Sequence, residues 1–357
     1  MEKGVLLIIS FCFIIGLLDY ILDNKYGVGK HFKDGLNSMG SLALAMIGIL
    51  TLTPLISNII LKMFSFFQGN SFFDISVIVS SFIAVDMGAY NIAESIASSS
   101  EMVIFSGIMI ASIVGCTLSF TLPLALGIVD KKHSVDLNRG IVIGLIATPI
   151  GLVISGILIG VPILTILCSL IPIIIIAILL AWGLACNQKL VLNILTGFGR
   201  ILLIVGAIGL GIQGINSILG MELLSQYILP LDEVLNIVGR IAIFLAGGYV
   251  LIEFINRKCI RIVSFLSNKL GISNESSSVL IGSLASAVII FTNYDKLDEK
   301  GRILVTAFSV GGAYVLGGQL GFVSTECSDM VLIYIITKLI CGITAILLVN
   351  LTYKSSM

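Results

Sequence analysis

Apolar runs fill most of this chain, and short polar segments separate them. Most of the runs reach about 18 residues or more, which lets a helix cross a hydrocarbon core of about 30 Å. This pattern predicts an all-α polytopic membrane protein that forms a single integral membrane domain. The predicted spans are Gly4–Leu22, Ser41–Leu61, Phe105–Val129, Gly140–Val161, Leu164–Cys186, Ile201–Leu219, Arg240–Ile255, Val305–Phe322 and Met330–Leu351.

The pattern occurs twice, about 200 residues apart. Asn37-Ser38-Met39-Gly40 and Asn236-Ile237-Val238-Gly239 begin corresponding apolar segments, and a glycine-rich apolar helix ends each unit. We therefore predict one repeat over residues 1–160, a second over residues 191–357, and a linking transmembrane helix over residues 161–190. Internal repeats in an apolar chain are typical of transporters, whose substrate site lies between the repeats near the membrane midplane.

The distribution of positive charge predicts that the two repeats are inverted. Each loop that carries several Lys or Arg residues in one repeat corresponds to a loop with few or none in the other. Positive loops face the cytoplasm, so this reversal is what inverted repeats require. The basic residues are Lys25, Lys30 and Lys33 in one loop, Lys131, Lys132 and Arg139 in a second, and Arg257, Lys258, Arg261 and Lys269 in a third.

Two segments decide the number of crossings, Phe72–Ser98 and Ser277–Leu297. If they are re-entrant hairpins, each repeat crosses four times, and the linking helix brings the total to nine full spans. All basic loops are then cytoplasmic, with the N-terminus outside and the C-terminus, including Lys354, inside. The alternative is that both segments cross, which gives 11 spans.

Composition argues against several classes of function. The 357 residues are 57% hydrophobic and 11% charged with a net charge of +0, so no nucleic-acid partner is expected. The 7 cysteines lack metal-ligand spacing, so neither a metal nor a cofactor is expected. The motifs HExxH, GxSxG and Walker A are missing, which argues against an enzyme. The expected partners are a small-molecule substrate and the lipid bilayer, and a homo-oligomer is left open.

Asp86 is the foremost candidate for substrate binding. It stands deep in an apolar stretch, where an unpaired acid costs about 3 kcal/mol or more. It is either a counter-ion for a cationic substrate or a proton, or the structural partner of a buried base such as Lys338. Nearby, Gly88 would free the backbone at a hairpin tip, Tyr90 offers a cation–π face, and Asn91 can hydrogen-bond a hydroxyl. An interfacial tyrosine and a helix-capping asparagine are the plainer alternatives for the last two.

The second repeat has polar groups but no acid at the matching place. Ser286 and Asn293 are the candidates in its predicted hairpin. Gln319 is the candidate in the glycine-rich helix that follows, where a buried amide requires a partner. Together with Asp86, these groups would line a path between the two repeats.

Two further charges could interact with the candidate site. Lys338 lies about two turns into the last span, and pairing with an acid is its expected role. Glu94 follows Asp86 by two turns, although a solvated position at a helix end is the plainer interpretation. Glu253 and Arg257 are four residues apart and predict an ion pair at a helix end.

Six stretches carry a family resemblance: Met39–Gly48, Asp86–Gly88, Pro123–Ile128, Thr148–Gly151, Leu320–Phe322 and Lys338–Gly342. They resemble the ethanolamine permease family of bacterial ethanolamine-utilisation operons. The resemblance runs nearly end to end, and its first two stretches are the most specific. It implies an inner-membrane permease that takes up ethanolamine, a small amino alcohol that is cationic at neutral pH.

The chain departs from the family pattern at two places. The family carries paired asparagines near Ser286-Ala287, and an Asp-His pair where this chain has Gly318-Gln319. If those groups bind substrate, the departures imply an altered affinity or another small substrate. Asp86 is the acid that this chain retains.

The expected function is therefore transport of ethanolamine or a close amine, with Asp86 holding the ammonium. The first alternative is a permease for another small polar solute, with or without coupling to ions or protons. A membrane sensor or scaffold is disfavoured because the sequence shows no soluble output domain. A membrane enzyme is disfavoured because the sequence contains no recognisable set of catalytic residues.

Overall fold

The computed structural model describes residues 2–63, 74–258 and 260–353, and every regular element among them is a helix. The predicted all-α class is confirmed. Lys354 and the first two residues of the predicted hairpin Phe72–Ser98 lie outside the described residues. The first helices are α1 (Glu2–Ile21), α2 (Gly29–Met63), α3 (Ile75–Phe82), α4 (Ala89–Ile96), α5 (Ser100–Ile104), α6 (Leu122–Ile128), α7 (Ser134–Ile159) and α8 (Ile163–Cys186). The remaining helices are α9 (Gln188–Leu219), α10 (Leu231–Lys258), α11 (Ile260–Leu270), α12 (Asn274–Gly282), α13 (Val288–Thr292), α14 (Glu299–Gly312), α15 (Gly318–Glu326) and α16 (Val331–Thr352).

Six helical segments of the described chain are long and apolar enough to cross a membrane. Two shorter apolar segments, Leu6–Ile21 and Met46–Ile60, lie within α1 and α2. Large apolar side chains on α8 and α9, such as Trp182 and Leu203, are exposed on the outside, as suits contact with lipid. The six segments are Ser100–Ile128, Lys131–Ile159, Ile163–Cys186, Lys189–Leu219, Leu231–Phe254 and Ser328–Thr352.

The prediction of one continuous helix over Val305–Phe322 is wrong. The chain unwinds between α14 and α15, over residues 313–317, and Tyr314 takes a left-handed φ of 62°. Glycines flank this break on both sides, and glycine weakens a helix interior. The freed backbone finds other partners: the N–H of Tyr314 donates to the carbonyl oxygen of Ser283 (3.1 Å), and that of Leu316 donates to Leu284 (2.8 Å).

The matching region of the first half stays helical. π-Helical turns over Phe105–Gly115 and Thr117–Thr121 join α5 to α6 into one long helix. π-Helical turns are rare and frequently occur at functional sites. The two segments therefore differ in backbone conformation: Ser100–Ile128 is one long helix, and the chain between α14 and α15 is broken.

The first predicted hairpin consists of two half-length helices whose outer ends meet. α3 and α4 have 8 residues each, about 12 Å, so neither can cross a membrane. Asp74, the N-cap of α3, accepts hydrogen bonds from the backbone N–H of Ser98 (2.8 Å) and from its hydroxyl (2.6 Å). The chain thus returns after 24 residues to the place where it entered. This is the geometry expected of a re-entrant hairpin.

The second hairpin, α12 and α13, is closed in a similar way. Asp298 follows it and accepts from the backbone N–H of Ser273 (2.9 Å), from the hydroxyl of Ser276 (2.6 Å) and from the N–H of Gly301 (3.2 Å). Burial by itself raises the pKa of Asp298, but these donors outweigh it and hold that pKa below its ordinary value. We call the contacts of Asp74 with Ser98, and of Asp298 with Ser273 and Ser276, the base clasps.

At each hairpin tip, a backbone carbonyl group lies directly against a glycine of the long segment that crosses the hairpin. A Cβ on Gly115 would lie 2.2 Å from the carbonyl oxygen of Ile83. A Cβ on Gly317 would lie 2.2 Å from that of Ala285. The two pairs have the same spacing in the sequence, so the same crossing is built in both halves.

The first helix of each half packs against the second helix of the other half. A Cβ on Gly48 of α2 would lie 1.6 Å from the carbonyl oxygen of Gly206 in α9. A Cβ on Gly247 of α10 would lie 2.5 Å from that of Ile9 in α1. α2 and α10 themselves are in contact where Gly35 meets the backbone of Ala246. The small residues allow these helix backbones to approach closely.

Contacts join the first and third basic loops to each other, and join the second to the base of the second hairpin and to the end of the described chain. Lys132 pairs with Asp295 (2.9 Å), and Arg139 donates to the carbonyl oxygen of Thr352 (2.9 Å). Near the end of α10, Arg257 donates to the carbonyl oxygen of Tyr26 (2.5 Å). Arg257 also pairs with Glu253 (2.7 Å), which confirms the predicted helix-end pair.

We predict that Asp298→Asn destabilises the protein by about 1–3 kcal/mol, because hydrogen bonds to a charged acceptor are the stronger kind and an amide presents two donors of its own. Thermal unfolding of the purified protein in detergent measures this. Asp295→Asn is the matched control. It removes the same charge from an exposed side chain nearby and should have a smaller effect. If both variants lowered the stability equally, the second base clasp would contribute no more to stability than an exposed carboxylate does.

The crossing at Gly317 allows a second stability test. Gly317→Ala should cost about 1–3 kcal/mol, because the new Cβ overlaps the carbonyl oxygen of Ala285 and the backbone must shift. Gly318→Ala is the control, since no atom lies within 4 Å of its new Cβ. Its stability should stay within about 0.5 kcal/mol of the parent. A tolerant Gly317→Ala would contradict the tight crossing.

Candidate functional site

Asp86 lies at the tip of the first hairpin. The chain leaves α3 in extended conformation at Ile83 and forms a short 3-10 turn, Val85–Met87. It then enters α4 through Gly88, whose φ of 91° favours glycine. Gly88 faces α2, and a Cβ there would lie 3.2 Å from the side chain of Ile49. The predicted role of Gly88, to free the backbone at a tip, matches this conformation.

The carboxylate of Asp86 has no direct side-chain partner. Among the residues that the structure describes, no hydrogen bond or ion pair within 4.0 Å joins it to another side chain. The residue is partly exposed, although it lies at the tip of a hairpin packed inside the protein. Its electrostatic neighbours come from both halves of the chain: Cys116, Tyr314, Tyr334 and Lys338.

Lys338 does not form the ion pair that the sequence suggested. Its side chain is 1% exposed, and its ammonium donates to the carbonyl oxygen of Ser112 (2.9 Å) and to Oε1 of Gln319 (2.7 Å). In the described part of the chain no carboxylate lies within 4.0 Å of it. The reason is that the break before α15 places an amide, and the π-helical stretch places a carbonyl, nearer than Asp86. Lys338 and Asp86 interact across a gap instead.

Gln319 is fixed by two donors at once. Its Oε1 accepts from Lys338 and shares, with the carbonyl oxygen of Tyr314, the one proton of the fully buried Tyr334 hydroxyl (3.3 Å). Because an ammonium can only donate, the amide oxygen is the atom that faces Lys338. The amide nitrogen therefore points away from that lysine. The sequence predicted that Gln319 needs a buried partner, but not which one.

Tyr314 is a residue that sequence reasoning missed as a site residue. Its hydroxyl is buried and, within the described residues, makes no hydrogen bond of regular geometry, although it lies near Thr121 and the backbone of Ala287. Its ring packs edge-on against Phe120 (6.1 Å), and its carbonyl oxygen accepts from the hydroxyl of Tyr334 (3.1 Å). A left-handed φ on a bulky residue is costly and tends to occur at functional sites. The available signal was a tyrosine between two glycine pairs.

Tyr90, Asn91 and Glu94 face a different direction from the Asp86 tip. The hydroxyl of Tyr90 contacts the Sγ of Cys327 (3.1 Å), and its ring packs edge-on against Phe322 (6.1 Å). Asn91 has a buried Oδ1 for which the structure gives no hydrogen-bond donor. Glu94 is exposed and interacts with Tyr90, so it is not a contact partner of Lys338.

The two candidates in the second hairpin lie at opposite ends of it. Ser286 is at the tip, where its hydroxyl accepts from the N–H of Val288 (3.3 Å). Asn293 is near the base, where it donates to the carbonyl oxygen of Ile289 (3.0 Å) and accepts from Lys296 (3.0 Å). Asn293 also lines a cleft of ≈ 700 Å³ beside the hairpin. No contact joins either residue to Asp86 within the described chain.

The assembled cluster suits a small organic cation that carries a hydroxyl group. Asp86 supplies an unpaired acceptor for an ammonium, and the Tyr314 hydroxyl, near Thr121 and the backbone of Ala287, supplies a second polar group. Over the described residues, no group of three or more His, Cys, Asp or Glu side chains is arranged to hold a metal ion. The groups that form the cluster are Asp86, Ser112, Cys116, Tyr314, Gln319, Tyr334 and Lys338.

Comparison with known proteins shows the family to which the chain is similar. The family model described as ethanolamine utilisation protein, EutH, matches residues 1–352. A probable ethanolamine permease EutH of Listeria monocytogenes is 34% identical over 333 residues, 93% of this chain and 89% of its own length. The uncharacterised protein YxeR of Bacillus subtilis is 31% identical over 96% of this chain and 93% of its own. A probable ethanolamine permease EutH of Salmonella typhimurium is 27% identical over 90% of this chain and 84% of its own.

No solved structure matches the chain. The family match covers all but the last few residues, and the first two relatives each exceed 30% identity over nearly the whole length. The resemblance seen in the sequence is thereby confirmed, and the chain belongs to the EutH family of ethanolamine utilisation proteins.

Proposed function

We propose that this protein takes up ethanolamine across the bacterial cytoplasmic membrane and recognises it as the ammonium ion. Membership in a family of permeases makes it a transporter rather than an enzyme. The names of its relatives support ethanolamine as the substrate. The observation that carries the proposal is the unpaired carboxylate of Asp86, inside the protein and beside accessible space.

An acid in this position needs a cation. A charge at the bilayer centre is costly unless it is paired or hydrated, and such residues usually mark substrate or ion pathways. Lys338 is too far away to satisfy Asp86 by contact, because its ammonium is bound by Ser112 and Gln319. An ammonium that reaches the accessible side of Asp86 can bind its carboxylate directly.

The size and polarity of ethanolamine suit the remaining groups. The molecule is a two-carbon chain with an ammonium at one end and a hydroxyl at the other. With the ammonium on Asp86, the substrate hydroxyl can hydrogen-bond the hydroxyl of Tyr314, which comes from the other half of the chain, in place of the contacts that Tyr314 makes with Thr121 and Ala287. Recognition by both halves would let their relative motion expose the site to either side.

The architecture that we propose has two inverted repeats, residues 1–160 and 191–357, with the linking helix at residues 161–190. Nine full spans and two re-entrant hairpins make up this arrangement. Three paired features support it: the base clasps, the crossings at Gly115 and Gly317, and the exchanged packing of Gly48 and Gly247. Unwound backbone at membrane depth is tolerated where protein or water surrounds it, and that is where substrate sites form.

We place the N-terminus outside and the C-terminus inside. The contacts that join the basic segments support a common cytoplasmic face for them, as the positive-inside rule requires. The opposite face then contains the base of the first hairpin and the acidic loops after α9 and α15.

Labelling of introduced cysteines tests this orientation. In a variant without the 7 native cysteines, Val135→Cys and Lys269→Cys should react with a membrane-impermeant maleimide only from the cytoplasmic side. Glu222→Cys is the control and should react only from outside. External labelling of Val135→Cys would contradict the inverted repeats and the hairpins together.

Substrate recognition is tested by flux of labelled ethanolamine into proteoliposomes. Asp86→Asn should fold and lose at least tenfold of the flux, because removing one partner of a buried charge pair typically costs about 2–5 kcal/mol. Asp295→Asn, which removes an exposed carboxylate, should keep nearly full flux. Near-normal flux through well-folded Asp86→Asn would remove Asp86 from the site. Transport of other small polar solutes, with no ethanolamine flux through the parent protein, would favour the alternative substrate class.

A further inference from the structure

The site contains a second charge, the ammonium of Lys338, that binding of a substrate cation to Asp86 leaves unexplained. Lys338 is buried, and both atoms that it contacts, the carbonyl oxygen of Ser112 and Oε1 of Gln319, are neutral acceptors. Its positive charge is therefore balanced by Asp86 across the gap and by no carboxylate in contact, as far as the described residues extend.

The total charge of the site changes when a cation binds. The other titratable groups that face Lys338 are Cys116 from the π-helical segment, and Tyr334 and Cys341 from its own helix. Thiols and phenols are neutral near pH 7, so Asp86 and Lys338 determine the charge of the site, and its net charge is zero whether both are ionised or both are neutral. A substrate ammonium would raise the net charge to +1, deep in the protein, where an uncompensated charge is costly.

The hydrogen bonds of Lys338 are compatible with both its charged and its neutral form. An ammonium has three N–H donors, and the structure gives it two acceptors. A neutral amine has two N–H donors, so it can keep both hydrogen bonds. Loss of one proton therefore removes the excess charge without breaking a contact that holds the lysine in place.

We propose that Lys338 releases its proton when the substrate cation binds beside Asp86, so that the protein exchanges one ethanolammonium ion for one proton. This inference rests on the proposed function and adds that transport is coupled to the movement of protons. On the outer side the substrate ammonium binds to Asp86, and the Nζ proton of Lys338 passes to water in the cavity and leaves. On the inner side the substrate departs, and the lone pair of Nζ takes a proton from cytoplasmic water. No net charge crosses the membrane.

Such exchange suits a substrate that is a weak base. Neutral ethanolamine crosses a bilayer unaided, whereas its ammonium form does not. A carrier of the cation alone would let the membrane potential accumulate substrate, which would then leak out as the neutral amine and leave its proton inside. Exchange for a proton reaches the same equilibrium as the leak of neutral amine. It therefore speeds uptake without driving a cycle that dissipates the proton gradient.

The first experiment measures whether the membrane potential drives uptake. Proteoliposomes with equal pH on both sides carry a hundredfold potassium gradient, high inside, and valinomycin sets an inside-negative potential. Initial uptake of labelled ethanolamine is measured at about pH 6, where little neutral amine exists, and protein-free liposomes give the leak. The potential should change uptake by the parent protein less than twofold. It should raise uptake by Lys338→Met at least tenfold, because that variant carries the cation alone.

The second experiment measures the proton directly. Calorimetric titration of the purified protein with ethanolamine hydrochloride, in two buffers of different ionisation enthalpy, should show release of about one proton per bound ligand. Lys338→Met should release none. Lys338→Arg, which cannot deprotonate, should bind at least tenfold more weakly than the parent. Both measurements on the parent protein decide the proposal even if a variant fails to fold.

The two proposals fail in different ways. Ethanolamine binding without proton release, or flux through the parent protein that the potential drives, overturns the exchange and leaves ethanolamine transport standing. Absence of both binding and flux contradicts the proposed function itself.

Discussion

The carboxylate of Asp86 sits on a hairpin tip inside the protein and has no side chain in contact to balance it. That constraint determines much of what surrounds it. The nearest base, Lys338, is held back by Ser112 and Gln319, so the contact position stays free for a ligand. A fully paired Asp86 would stabilise the empty protein and close the site.

The hairpin tip that carries Asp86 is unwound, and the fold controls where the backbone unwinds. Two Asp–Ser base clasps close the hairpins at their open ends, while glycines let the hairpin tips approach the segments that cross them. The backbone groups freed at residues 313–317 bond the broken tip of the second hairpin rather than lipid. These contacts satisfy polar groups that a bilayer would leave unpaired.

Sequence patterns singled out Asp86 as a candidate because an acid in an apolar stretch is costly, and the reversal of loop charge led to the prediction that Phe72–Ser98 and Ser277–Leu297 are re-entrant hairpins. They could not predict that Lys338 would bond Gln319 instead of an acid, or that the helix over Val305–Phe322 would break. Both depend on contacts between segments that are distant in the sequence. Tyr314 was missed for the same reason. Only the fold shows that its hydroxyl is buried and makes no hydrogen bond of regular geometry among the described residues. The base clasps join residues 24 and 25 positions apart, which no local periodicity reveals.

The central claim is that a substrate cation binds between the halves of the chain, on Asp86. The most direct measurement is an experimental structure of the purified protein in a lipid nanodisc with saturating ethanolamine. The account predicts ligand density in contact with the carboxylate of Asp86 and within hydrogen-bond reach of the Tyr314 hydroxyl, with Lys338 still bound to Ser112 and Gln319. Density in the cleft beside Asn293, with nothing next to Asp86, would contradict it.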